Sequence, residues 1–135
     1  MILGHADVGF GIASAGTIDR SNILRATLTA MADAIRDLPT APDLVLVDGH
    51  LPPDIPIPCR PIIHGDATCY VISCASIMAK VLRDRLMEFY HGLCPGYEFD
   101  RHKGYGTALH AGRLTALGPS VFHRRTFQPV AAHVG

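Results

Sequence analysis

Several common protein classes leave marks that this sequence lacks. No stretch approaches the roughly 20 apolar residues of a membrane-spanning helix, and no charged segment leads from Met1 into a secretory hydrophobic run. Both absences point to a cytoplasmic protein with no membrane partner. The four cysteines, Cys59, Cys69, Cys74 and Cys94, form no CxxC pair, so they read as reduced thiols of the core rather than as a disulfide or zinc framework. GxSxG, P-loop and HExxH sequences are missing, which removes the usual serine-hydrolase, phosphate-loop and zinc-protease signatures. Internal repeats and low-complexity tracts are missing too.

Acid is absent from the last part of the chain. Residues 1–100 hold all twelve Asp and Glu against seven Lys and Arg, a balance of −5. Residues 101–135 hold Arg101, Lys103, Arg113, Arg124 and Arg125, a balance of +5, with His102, His110 and His123 among them. An acidic body with a basic C-terminal segment suits a polyanion held beside a carboxylate site. The plainer alternative is a basic tail that only solubilises. With 135 residues, 48% apolar and 18% charged, the chain is long enough for one globular domain and no more.

The apolar pattern predicts the elements. Gly9–Gly16 reads as a short strand of small residues. In the stretch from Thr17 to Leu38, Leu24, Leu28, Met31, Ile35 and Leu38 recur at helical spacing. Asp19 or Ser21 is the candidate cap, and Pro39 ends the run. Leu44–Val47 is a continuous apolar run that fits a strand buried on both faces. A helix followed by such a strand predicts an α/β sheet with at least one parallel pair. The five prolines of Leu51–Pro61 predict an extended connector without ladder bonds, and Ile62-Ile63 a second brief strand. Helical spacing returns from Ser73 to about Tyr90. Thr107 is placed to cap a helix reaching Leu117, closed by Gly118-Pro119.

Two aspartates stand out, Asp48 and Asp66, each following an apolar strand and separated by 18 positions. Strand carboxyl ends are where ligands sit in open α/β sheets. Two carboxylates gathered there repel unless a cation neutralises them, and hard oxygen donors favour Mg²⁺ or Mn²⁺, which assist phosphodiester hydrolysis. Taken singly, each aspartate is equally a turn or helix cap. Downstream, His102-Lys103-Gly104-Tyr105 supplies a cation and an aromatic ring. Tyr105 could stack on a base or sugar while Lys103 touches a phosphate; a tyrosine packed over a loop is the ordinary alternative. The segment Phe122–Pro129 could touch phosphate or simply hold the C-terminus down. Ser76, Lys80 and Asp84 recur every four residues on one helix face, with Lys80 and Asp84 an expected ion pair and Ser76 a candidate contact to nucleic acid. From the residues alone the reading ends at a metal–carboxylate site acting on a polyanion.

The ordered blocks NILRATLTAM, LVLVDG, IIHGD, CASIMAKVLRDRLM, YEFDRHKGYGT and HRRTFQPV, from roughly Gly9 to Val130, closely resemble those of bacterial ribonuclease HII. The resemblance implies a ribonuclease H-like α/β fold, a mixed sheet flanked by helices. It implies an endonuclease that cuts the RNA strand of RNA–DNA hybrids and the 5′ side of ribonucleotides embedded in DNA, with two Mn²⁺ or Mg²⁺ ions held by four carboxylates. Asp48 matches the third of these and Asp66 the fourth, making both the expected catalytic and metal residues. Tyr105 matches the tyrosine that stacks at the DNA–RNA junction, with Lys103, His64 and Ser76 as further expected nucleic-acid contacts; Asp84 matches a recurrent position that is not a metal ligand. The complete form is expected to be a monomer.

Two departures qualify this. The family usually has lysine where this chain has His64. The family's first block, Asp-Glu-Ala-Gly-Arg-Gly, with the first two carboxylates, does not occur in this sequence. The expectation is therefore a partial domain, residues 1–135, whose first strands are missing and whose remaining strands carry unpaired backbone groups costing about 1–3 kcal/mol each where buried. Such a chain is expected to be marginally folded and inactive alone. Two other readings stand beside it: a non-catalytic nucleic-acid-binding remnant, and a zinc module using Cys69, Cys74 and nearby histidines.

Overall fold

The computed structural model describes residues 2–135; Met1 lies outside the described residues. It divides into two compact units, one of residues up to Ala13 with Ser21–Ala79, the other of Ser14–Arg20 with Lys80–Gly135.

In the first unit the chain passes a 3-10 turn at Ile2–Gly4 and then runs without regular structure to Ala13. No strand forms at Gly9–Gly16, against expectation. The segment instead lies directly on the backbone of helix α2 (Ile23–Arg36), where a Cβ on Gly9 or Gly11 would collide with the carbonyls of Ala34 and Ala30. The small residues serve close approach to a helix rather than a ladder. One hydrogen bond, from Phe10 N–H to Asp37 Oδ2 at 2.9 Å, fixes the approach.

The α2 cap is Asn22, not Asp19 or Ser21: its Oδ1 accepts the Arg25 N–H at 2.8 Å. The helix ends at Arg36, ahead of Pro39. Its expected apolar stripe is only partly covered. Ala26 and Ala32 are buried, Leu28, Met31 and Ile35 are half-buried, and Leu24 is exposed.

Strand β1 (Val45–Asp48) and strand β2 (Cys59–Ile62) pair in parallel, Val45 beside Cys59 and Asp48 beside Ile62. Val45 and Val47 are buried while Leu46 is half-buried and Leu44 exposed. The strand therefore covers one face well rather than both. The second strand begins earlier than expected and contains Pro61, which the proline-rich connector should have excluded. With only two strands among the described residues, each has an outer edge, and an edge tolerates a residue lacking an N–H. Ile63 falls in the turn instead.

Helix α3 (Gly65–Thr68) follows at once, then helix α4 (Tyr70–Leu93). Helix α4 is longer at both ends than the expected Ser73–Tyr90. The whole stretch holds no proline or mid-helix breaker until Gly92, and Ile72 is buried near its start.

The second unit contains helix α1 (Ala15–Arg20), the later part of α4, a 3-10 turn at Pro95–Tyr97, and helices α5 (Phe99–His102), α6 (Ala108–Leu117) and α7 (Gln128–Ala131). Thr107 caps α6 as expected, its hydroxyl accepting the His110 N–H at 3.2 Å, and Gly118 (φ +72°) ends it. The core is Phe99, Leu114 and Val130, with His102, His110 and His123 equally buried among them. Asp19 has a role that local reading could not give it. Its carboxylate accepts the N–H groups of Arg125 (2.8 Å) and Thr126 (3.1 Å) and the Thr126 hydroxyl (2.7 Å). These bonds, the Thr126 hydroxyl first, hold its pKa below the ordinary carboxylate value. The C-terminal stretch is held down by its backbone. All four cysteines are free and half-buried rather than fully in the core.

Candidate functional site

The first candidate site is built where β1 ends. Gly49 continues the ladder by donating to the Ile62 carbonyl (3.0 Å), and its φ of +108° turns the chain sharply off the sheet. That conformation suits glycine and explains the Asp-Gly ending of the run. Asp48 is the last strand residue, exposed, and its Oδ1 accepts the Gly65 N–H at 2.8 Å. An N–H at a helix start has no partner inside the helix, so Asp48 supplies one from another element.

Gly65 is buried, and a Cβ there would lie 2.6 Å from Ile72 Cδ1. Any larger residue would need Ile72 to shift before α3 could start this close to α4. His64, just before it, is in the left-handed region (φ +53°), uncommon for a residue with a side chain though histidine is among the more tolerant. Its ring is exposed, and its carbonyl accepts from Ala67 and Thr68. Asp66 therefore lies in the first turn of α3, not at the end of a strand, and its carboxylate is exposed. An acid there is favoured by the helix dipole.

The structure thus brings Asp48 onto the residue next to Asp66. The donors are hard carboxylate oxygens, suited to Mg²⁺ or Mn²⁺, and magnesium ordinarily takes one or two carboxylates while keeping several waters. On that chemistry the pair fits one hydrated divalent ion. A richer cage is not built: among the described residues no group of three or more His, Cys, Asp or Glu is placed to hold a metal. The zinc reading through Cys69 and Cys74 fails on the same ground.

The second candidate site lies in the other unit, around Tyr105. Lys103 and Gly104 both have positive φ, +51° and +82°, and the turn they make carries Tyr105, 53% exposed. Two cations of α4 stand near its ring, Lys80 Nζ at 5.7 Å and Arg83 at 6.0 Å from the centroid. Lys80 also forms the expected pair with Asp84 at 3.2 Å, which raises its pKa. Cations over the ring hold it by cation–π attraction, and a half-exposed ring can also offer a stacking surface to a base. Lys103 is not free to meet phosphate, because its Nζ pairs with Glu88 at 2.9 Å. Ser76 is exposed on the part of α4 that belongs to the first unit. The basic character of residues 101–135 is partly spent inside the unit: Arg101 (2.9 Å) and Arg113 both bind Glu98. The Arg101 hydrogen bond is the first cause of that carboxyl's lowered pKa. Arg124 lies over Phe127 at 4.5 Å.

Three features of these sites escaped sequence reading: the Gly65 N–H as partner of Asp48, the cations beside Tyr105, and the burial of the histidines. Lys80 and Arg83, three apart on a helix, were the available signal for the second.

A parallel pair with the helix-borne acid at its exit, followed by a long helix, belongs to the ribonuclease H class of α/β folds. The structure is similar to the crystal structure of the ribonuclease H2 from Pyrococcus horikoshii OT3, with a TM-score of 0.68 over 89% of this chain and 64% of that one, at 19% identity. The chain belongs to the ribonuclease HII family, whose model matches residues 5–130. It is 50% identical over 128 residues to the ribonuclease HII of Geobacter sulfurreducens, covering 95% of this chain and 59% of the relative. Against that of Chlamydia pneumoniae it is 53% identical over 123 residues, covering 90% and 56%. The chain thus spans under two thirds of the length of these relatives. Among the described residues no helix is long and apolar enough to cross a membrane.

Proposed function

We propose that this chain carries part of the catalytic machinery of an endonuclease that hydrolyses the RNA strand of RNA–DNA hybrids and cuts 5′ to ribonucleotides embedded in DNA. The observation that carries the reading is Asp48, the last residue of β1, bonded to the N–H that opens α3, the helix holding Asp66. Family membership supports it. Asp48 and Asp66 are the residues that would hold Mn²⁺ or Mg²⁺, and such an ion, when bound, supplies Lewis-acid stabilisation of phosphodiester hydrolysis. The hydrogen bond from Gly65 fixes the rotamer of Asp48 and leaves Oδ2 for the cation. In the second unit Tyr105 is the surface for a base or sugar at the DNA–RNA junction, with Arg83 toward phosphate, joined by Lys80 and Lys103 once released from Asp84 and Glu88. Ser76 and His64, which belong to the first unit, are secondary contacts.

Two carboxylates are too few for the two-ion clamp of the complete enzyme, so the 135-residue chain, a partial domain, binds but does not cut. The site belongs to a cytoplasmic enzyme that is monomeric when complete. The test is cleavage of a labelled duplex with one embedded ribonucleotide in Mn²⁺ or Mg²⁺, by this chain and by the chain extended with the corresponding upstream segment of a relative. The chain alone should leave the duplex intact. The extended form should cut 5′ to the ribonucleotide, giving 5′-phosphate and 3′-hydroxyl ends, and Asp48→Asn should abolish this. An extended form that does not cut, or an Asp48→Asn form that does, refutes the proposal. A chain that binds hybrid but never cuts in either form would instead be a non-catalytic binding remnant.

A further inference from the structure

Three histidines are buried together in the second unit, and none of them has a part in the proposed chemistry. His102 and His110 stack face to face, ring centroids 4.1 Å apart and 8° from parallel. His110 Nε2 meets His123 Nε2 at 3.0 Å. Each ring is more than nine-tenths buried.

The surrounding donors fix where each proton sits. Gly104 N–H donates to His102 Nδ1 (3.0 Å), so the His102 proton is on Nε2, which donates to the Tyr97 carbonyl (2.7 Å). Ser120 N–H donates to His123 Nδ1 (3.0 Å), so the His123 proton is on Nε2 and donates to His110 Nε2. His110 is left with its proton on Nδ1, which donates to the Tyr105 carbonyl (2.9 Å). The bonds run one way, from Ser120 through His123 and His110 to Tyr105.

Both ends of this arrangement grip one short turn. His102 holds the Gly104 N–H, whose residue has positive φ, and the His102 carbonyl accepts the Tyr105 N–H at 2.9 Å. His110 holds the Tyr105 carbonyl from the other side, a carbonyl that also accepts the Thr107 N–H at 2.8 Å. We infer that His102 and His110, with His123 behind them, are positioning residues that clamp the backbone on both sides of Tyr105 and thereby set the direction of its ring. The inference rests on the reading of Tyr105 as the residue that meets nucleic acid, and it adds what aims it.

The clamp works only with neutral rings. A second proton on His102 Nδ1 would face the Gly104 N–H, one on His123 Nδ1 the Ser120 N–H, and one on His110 Nε2 the His123 N–H. At His102 and His110 this would replace a hydrogen bond with two opposed donors. At His123 the Ser120 hydroxyl, 2.8 Å from Nδ1, could accept the added proton, but the Ser120 N–H would lose its acceptor. The groups packed around the rings offer no compensating charge. Phe99 lies against all three at 5.3–6.3 Å and Tyr97 at 5.0 Å from His123. The Tyr97 hydroxyl is committed to the Gly118 carbonyl, and Glu98 is bound by Arg101 and Arg113. Burial accordingly pushes the pKa of His110 down and that of His123 down to about 4.

The test uses the full chain. Two-bond ¹H–¹⁵N spectra at pH 7 should show the Nδ1–H tautomer at His110 and the Nε2–H tautomer at His102 and His123. His110→Leu removes the donor to Tyr105 and should speed amide exchange at Tyr105 and Thr107 by about tenfold or more, with interior α6 amides unchanged. His110→Asn, whose amide can replace Nδ1–H, should restore slow exchange. Preference for a duplex with one embedded ribonucleotide over all-DNA duplex should fall in His110→Leu to the level of Tyr105→Ala, and persist in His110→Asn. If Tyr105→Ala leaves that preference unchanged, the reading of Tyr105 fails, while exchange still decides the clamp. If Tyr105→Ala abolishes it and His110→Leu alters neither exchange nor preference, the clamp is refuted. Should His110→Leu fail to fold, the unsubstituted chain is titrated from pH 7 to 4. The Tyr105 and Thr107 amides should loosen in the step that protonates the histidines, and a turn that stays rigid through it refutes the clamp.

Discussion

Asp48 Oδ1 lies 2.8 Å from the backbone nitrogen of Gly65, 17 residues further along the chain. One oxygen of this carboxylate satisfies the first N–H of α3, and the proposed function assigns the other to a cation. The two roles separate under mutation. Asp48→Asn keeps an acceptor for Gly65 and loses the charge, so stability should change by less than about 0.5 kcal/mol while divalent-ion affinity is lost. Asp48→Ala should lose affinity and also about 1–2 kcal/mol of stability. Urea melts of both variants beside a metal titration make the comparison. Equal destabilisation by both would show that Asp48 Oδ1 is not the helix partner.

Gly65→Ala is expected to cost about 1–3 kcal/mol, because its new methyl enters the space of Ile72 Cδ1. The displaced start of α3 should carry Asp66 with it, so metal affinity should fall even though no ligand is altered. Pairing the substitution with Ile72→Val should recover part of the stability. A neutral Gly65→Ala would mean that α3 and α4 are less closely packed than they stand.

Tyr105→Phe keeps the ring between Lys80 and Arg83 and should retain junction preference, whereas Tyr105→Ala should lose it with a smaller change in affinity for all-DNA duplex. Base–aromatic stacking is worth about 1–3 kcal/mol, so the loss should be roughly 5- to 150-fold. Fluorescence anisotropy on the two duplexes measures it. Equal losses on both would reduce Tyr105 to a packing residue.

The burial of His123 makes stability depend on acid. Its folded pKa, about 4, is below the ordinary 6.5. Between these values the unfolded chain takes up a proton that the folded chain refuses, so stability falls as pH drops from about 6.5 to 4 and is level above that window. His123→Phe should lessen this slope at the expense of the bond to His110, leaving the part that comes from buried His110. Urea midpoints measured from pH 8 to 4 test the sign; a stability that rises on acidification contradicts it.

What could be read from the sequence divides along physical lines. The parallel pair, Asp48 at the end of its strand, the Lys80–Asp84 pair and the Thr107 cap follow from local pattern and spacing, and they appear. Asp66 was expected at a second strand end and stands in the first turn of α3 instead, because the strand stops at Ile62 and the turn at Ile63-His64 leads straight into a helix. The strand expected at Gly9–Gly16 did not, because small residues serve a ladder and a close helix approach equally well and only the partner decides. Pro61 entered a strand because edge position, invisible locally, removes the penalty. Asp19 looked like a helix cap but binds residues 106 and 107 positions away. The three histidines were legible only as neighbours of five basic residues. Their burial is set by Phe99 and by carbonyls of Tyr97 and Tyr105 that no periodicity announces.

The proposed divalent-cation site lies at the end of β1 and the start of α3. Paramagnetic broadening by Mn²⁺ in the amide spectrum of the chain tests it most directly. Broadening should begin at Asp48, Gly49, Gly65 and Asp66 and disappear in the Asp48→Asn, Asp66→Asn double variant. Broadening centred elsewhere, for example at Asp84 or Glu88, or unchanged in the double variant, would show that Asp48 and Asp66 do not hold the ion.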